Sequence, residues 1–267
     1  MMLRIILLLL LSTAANAADS LRISRSIPMS SRIMTVDELG NVYVVKNDNT
    51  LVRYTDQGDS SAFYRSIQNG DIGQVDATNP LRIVLYYPSY SKIVLLDKML
   101  SPKNELDLKK LNIYTTAFVA SAADGDLWVY DLFNARLIKV SEQLDIVAQS
   151  NDLRQQVDKV PAPSFIAERN RKVYVCDTSE GIYTFDQYGS YTNTLSIYDV
   201  KYLQVFGSQL VYRHNDTLVS YDMQKIKTNE MRLPAKGSGI INAAISRDEL
   251  YVLYSDRLVL YTLPKEK

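Results

Sequence analysis

The sequence predicts an all-β fold: a six-bladed β-propeller of four-stranded antiparallel blades, closed by its own N-terminal strand. Three observations predict it. A pair of short β-rich runs recurs six times at intervals of roughly 40 residues. The sixth copy ends before a fourth strand is complete. No segment sustains the 3.6-residue apolar period of a packed helix.

Taken from the N-terminus, residues 1–17 read as a secretory signal peptide. Arg4 is followed by the unbroken apolar run Ile5 to Leu11, which is too short to span a bilayer. Ala15 and Ala17 place cleavage before Ala18. No Cys follows the run to carry a lipid anchor, and no second long apolar stretch occurs, so the expectation is a soluble periplasmic or secreted domain over 18–267. Residues Leu21–Ile27 come next and have no other partner, so they are expected to supply the missing outer strand of the sixth blade.

The first blade divides into inner strand a at Arg32–Asp37, b at Asn41–Val45, c at Leu51–Thr55 and outer strand d at Ala62–Ser66. Later b strands anchor on Val84, Trp128, Tyr174, Val211 and Tyr251, each aligned with Tyr43, and a c strand follows each within seven to nine residues. The sixth inner strand falls at Ile241–Ser246. Val, Ile, Leu and Tyr fill these runs and Asp, Asn, Gly and Ser punctuate them, which is strand-and-turn chemistry. The pattern Asp37-Glu-Leu-Gly-Asn-Val-Tyr-Val, a polar turn, then Leu51-Val-Arg-Tyr54 resembles the NHL-type six-bladed propellers. Asp124-Gly-Asp-Leu-Trp-Val-Tyr130 and Lys172-Val-Tyr-Val-Cys176 repeat it. The resemblance implies a propeller; that broad group includes binding modules, scaffolds and a few enzymes, so it implies no one chemistry.

Composition narrows the chemistry. Lys+Arg and Asp+Glu are 30 each, so the clustered positive charge needed to bind nucleic acid is not expected. One His and one Cys exclude a zinc site of several such ligands and an internal disulfide. His214 falls at the end of a b strand and Cys176 within one, so neither reads as catalytic. Asn47-Asp-Asn49 and Asp124-Gly-Asp126 are acidic enough to suggest calcium, but lack the distal Glu of a calcium loop and read as turns. No catalytic residue, metal site or cofactor is assigned.

In a propeller the b–c and d–a connections share one face. There, Tyr87, Pro88, Tyr90 and Phe133 are expected to bind a protein partner, since aromatic anchors dominate such interfaces. The a–b and c–d turns of the opposite face read as short, charged and solvated. The functional expectation is a non-catalytic, monomeric, protein-binding propeller of the bacterial envelope. In size, export and lack of an anchor it is similar to soluble accessory or pore-closing subunits of outer-membrane secretion complexes, such as the plug of the type 9 translocon. The alternative is a ligand-binding or metal-dependent propeller enzyme that uses the central channel through Asp37, Asp76, Glu168 and Asn242.

Overall fold

A computed structural model describes residues 21–234 and 239–263. The expected signal peptide therefore lies outside the described residues. Strand β1 (Arg22–Pro28) precedes six repeated units. The first holds β2 (Ser31–Val36), β3 (Val42–Lys46), β4 (Leu51–Tyr54) and β5 (Ser60–Tyr64). The second holds β6 (Gln74–Asn79), β7 (Arg82–Tyr87), β8 (Lys92–Asp97) and β9 (Pro102–Asp107), and the third β10 (Thr116–Ser121), β11 (Leu127–Asp131), β12 (Arg136–Val140) and β13 (Ile146–Gln149). The fourth holds β14 (Phe165–Arg169), β15 (Lys172–Asp177), β16 (Gly181–Asp186) and β17 (Tyr191–Leu195), and the fifth β18 (Leu203–Phe206), β19 (Gln209–His214), β20 (Thr217–Asp222) and β21 (Lys227–Arg232). The sixth has only β22 (Ile240–Ser246), β23 (Glu249–Tyr254) and β24 (Arg257–Thr262). Each unit forms a four-stranded antiparallel sheet, and β1 completes the sixth by pairing with β24, from Arg22 opposite Thr262 to Pro28 opposite Arg257. The only helical segments among the described residues are 3-10 turns, at Pro88–Tyr90, Leu108–Leu111 and Leu153–Gln155.

The b and c strands are apolar on both sides because each blade is packed on both faces. Val42 and Val44 point into the seam with blade six, while Tyr43 and Val45 point into the seam with blade two. The result is six separate cores, one per seam. A sheet buried on both faces reads in sequence as a continuous apolar run, not as an alternation. Trp128, Tyr43, Tyr174 and Tyr251 occupy equivalent buried positions in these cores.

Inner strands are sheet edges, with backbone groups that no blade neighbour pairs. Side chains pin them across every seam. Arg32 donates to Ile72 O (2.6 Å) between blades one and two. Gln74 brackets Val119 between two and three: its Nε2 donates to the carbonyl (2.6 Å) and its Oε1 accepts from the amide (3.0 Å). Glu168 accepts from Ala123 N and the Trp128 indole between three and four, and Ser164 Oγ donates to Val200 O between four and five. Gln204 brackets Ile245 as Gln74 brackets Val119, and Asn242 donates to Met34 O where the ring closes.

Candidate functional site

The b–c face was built up from turn chemistry. In blade two, β7 runs one residue further than the aromatic loop in the sequence suggests, and period-2 alternation then decides the fate of each ring. Ile83, Leu85 and Tyr87 point into the seam with blade one; Val84 and Tyr86 point into the seam with blade three. Tyr87 is therefore fully buried, and it is a core residue with no ring to offer a partner. Tyr86 is also buried, its hydroxyl donating to Thr116 O at 3.0 Å.

Pro88 opens a single 3-10 turn and is exposed, as is Tyr90 at its end. Two glycines of the link from blade one let this turn lie flat. A Cβ on Gly73 would meet Pro88 Cδ at 2.6 Å, and one on Gly70, held at φ +72°, would meet the Tyr90 ring at 3.1 Å. On the other side the Lys109 ammonium lies 5.8 Å from the Tyr90 ring centre. Ser91 Oγ donates to Tyr114 O (2.7 Å), and Leu132 N donates to Thr115 O (3.0 Å). Residues 114–115 thus bridge the b–c turn of blade two to that of blade three.

At blade three, buried Asp131 accepts from Phe133 N, Asn134 N and the Asn134 side chain. Its carboxylate fixes the backbone of Phe133, whose side chain then projects outward and is 79% exposed. Blade four uses the same device. Asp177 accepts from the amides of Ser179 and Glu180 and from Ala162 N of the preceding link. Burial works against ionisation there, but those N–H groups outweigh it and hold the Asp177 carboxyl below the usual carboxylate range. Its turn carries Thr178 and Ser179 where blade three carries Leu132 and Phe133. Five exposed apolar groups at this face, Ile67, Tyr90, Tyr114, Leu132 and Phe133, lie on the turns of blades two and three and the links beside them; Val160 and Tyr198 are exposed singly in the links before blades four and five. Tyr114, 62% exposed, lies in a d–a link that carries no repeat signal, so the sequence does not mark it.

The opposite face differs from expectation. Its turns are short, yet Leu39, Leu81, Met99 and Tyr188 are exposed. Each sits two residues after an Asp or Asn whose side chain accepts its amide: Asp37, Asn79, Asp97 and Asp186. The same geometry that exposes Phe133 exposes these, but one per turn, in blades one, two and four.

The polar inner-strand residues do not converge. Asp37 accepts from the amides of Leu39 and Asn41 and from the Tyr43 hydroxyl; Asp76 accepts from Ser121 N and Thr78 N. Glu168 and Asn242 are committed at their seams as described above. Among the described residues no three His, Cys, Asp or Glu side chains form a group able to hold a metal ion. His214 is exposed at the end of β19, its Nδ1 3.5 Å from Asp199. Cys176 is buried in the seam between blades four and five, where burial pushes its thiol far above the ordinary range. Asp124 pairs with buried Lys139 and accepts from Asp126 N, while Asp48 accepts from Thr50 N, so both acidic stretches are turns.

No protein-family model matches the sequence, and no curated protein matches it. Solved structures do. Virginiamycin B lyase from Staphylococcus aureus aligns over 86% of this chain and 80% of its own with a TM-score of 0.58 and 14% identity. The WD40 domain of Neurospora crassa Pan2 aligns over 90% and 91% with a TM-score of 0.65 and 7% identity. A chain of the mitotic checkpoint complex aligns over 91% and 96% with a TM-score of 0.67 and 8% identity. At such identities the likeness is one of fold: this chain is a six-bladed β-propeller.

Proposed function

We propose that this protein is a non-catalytic, protein-binding propeller that works in the bacterial envelope after export, as a soluble accessory or pore-closing subunit of an outer-membrane secretion or assembly complex. The observation that carries the binding role is the aromatic sector of blades two and three. Tyr90, Tyr114 and Phe133 stand on turns fixed from beneath by Asp131, Ser91 and two glycines, so their rings meet a partner with little ordering cost. Exposed aromatic groups around a rigid backbone are what interface anchors use. The assemblies to which some structural neighbours belong are consistent with this role. Export rests on residues 1–17 alone.

The test is capture of envelope proteins by the tagged chain, compared with Tyr90→Ala/Phe133→Ala. Each buried anchor contributes on the order of 2 kcal/mol, or roughly thirtyfold in affinity. The double variant should lose its partner and keep its melting temperature, whereas Tyr87→Ala should lose stability. Retained capture by the double variant would remove this sector as the interface. A mature N-terminus other than Ala18 would move the cleavage site, and an uncleaved chain retained in the cytoplasm would refute export.

A further inference from the structure

The central channel has a mouth on the b–c face. A cavity of about 300 Å³ opens there, at the small end of the roughly 300–1,000 Å³ range of ligand pockets. Its wall is largely apolar, with Met34, Val75, Phe118, Phe165 and Leu203 prominent. The amides in that wall have donor and acceptor both engaged, those of Gln74 and Gln204 by neighbouring strands and that of Asn242 by Met34 O and its own Ala243 N, so they leave few free polar groups inside.

The mouth is different in character. Tyr202 packs on Phe165, ring centres 5.8 Å apart, and its hydroxyl has no hydrogen-bond partner among the described residues. Burial pushes the Tyr202 phenol up, while the guanidiniums of Arg213 and Arg32 act on it in the opposite direction. Hydrogen bonds place both cations on the rim: Arg32 donates to Ile72 O and Arg213 to Ile241 O, each carbonyl one residue before a wall residue, Gly73 and Asn242. Among the described residues Arg32 donates only to Ile72 O and Asn49 Oδ1, and Arg213 only to Asn215 O and Ile241 O. Neither they nor Lys201, which also lines the mouth, has a carboxylate within ion-pair distance among the described residues. The acidic residues of the adjoining links are Asp199, which faces His214, and exposed Asp71.

We infer that the channel mouth is a binding site for a small free carboxylic acid with an apolar tail: the tail in the apolar cavity, the carboxylate between Arg32, Arg213 and Lys201, and the Tyr202 hydroxyl donating to it. An apolar pocket with a few convergent donors is how such sites orient a ligand, and guanidinium groups with spare N–H donors suit a carboxylate. This site is separate from the aromatic sector, so the inference stands or falls without it.

The probe is octanoate, titrated calorimetrically into the protein, with 1-octanol and octylamine as controls. Octanoate should bind saturably at one site, about tenfold or more tighter than octanol, since a hydrogen bond to a charged group supports a difference of that size. Arg32→Gln/Arg213→Gln should bring octanoate to the octanol level and leave octanol unchanged. In the parental protein, proton–proton contacts should run from octanoate methylenes to the Phe165 and Tyr202 rings, which keeps the test decisive if the double variant fails to fold. Equal affinity for octanoate and octanol, contacts confined to Tyr90 and Phe133, or no binding at millimolar octanoate would overturn the assignment. Binding of an acetylated apolar tripeptide carboxylate in place of octanoate would overturn the free-acid source.

Discussion

Replacing Gln74 by Ala tests the claim that side chains substitute for missing strand pairing at the channel. Gln74 is 6% exposed and Val119 is fully buried. The truncation removes the acceptor of Val119 N (3.0 Å) and the donor to Val119 O (2.6 Å) together. Each buried group left unpaired costs about 1–3 kcal/mol. The channel admits water at its ends, which brings the expected loss to about 2–4 kcal/mol. For a chain of this size that corresponds to roughly 4–16 °C in melting temperature. Urea denaturation followed by circular dichroism measures the loss, and hydrogen exchange at the Val119 amide reports it locally. Gln204→Ala should behave alike at the seam between blades five and six, where Gln204 brackets Ile245 at 2.9 and 2.8 Å. Exposed Gln143→Ala should stay within about 0.5 kcal/mol. If Gln74→Ala matches Gln143→Ala in stability and the Val119 amide exchanges no faster, these brackets do not hold the ring.

Two further outcomes follow from closure and burial. Deleting residues 22–28 bares the edge of β24, and should give concentration-dependent association with a melting temperature lower by about 5 °C or more; a monomeric variant that melts like the parent would refute closure by β1. Burial raises the Tyr86 phenol to about 12 and raises those of Tyr43, Tyr87, Tyr130, Tyr251 and Tyr254 further. A folded-state value above the ordinary one near 10 means that the unfolded chain releases these protons first, so their stabilisation is complete below about pH 10 and is lost as pH rises through 12. Absorbance of tyrosinate should therefore rise in two phases, the second coinciding with loss of circular dichroism, and a single phase near pH 10 with the fold intact would contradict the burial of these rings.

The sequence by itself determined the repeat, the strand order and the closure. These follow from local and near-periodic properties: Val42 to Val45 and their counterparts must be buried on two sides, Asp and Gly must turn the chain, and the sixth unit lacks a strand that residues 22–28 can supply. It also showed that Asp124 and Asp48 belong to turns, because an Asx side chain satisfies amides two residues on. Only the tertiary structure decided which aromatic residues are free. Tyr87 and Tyr90 sit in one short stretch, yet a single extra residue in β7 turns the first into the seam while the 3-10 turn lifts the second out. Tyr114 joins them through contacts from a link that no repeat marks. The same holds for the channel: Asp37 is used up by the turn and strand of its own blade, and Asp76, Glu168 and Asn242 by bonds across their seams. Arg32 and Arg213, far apart in sequence, instead both reach the rim of one mouth, because the ring brings Ile72 and Ile241, whose carbonyls they bond, to the same end of the channel.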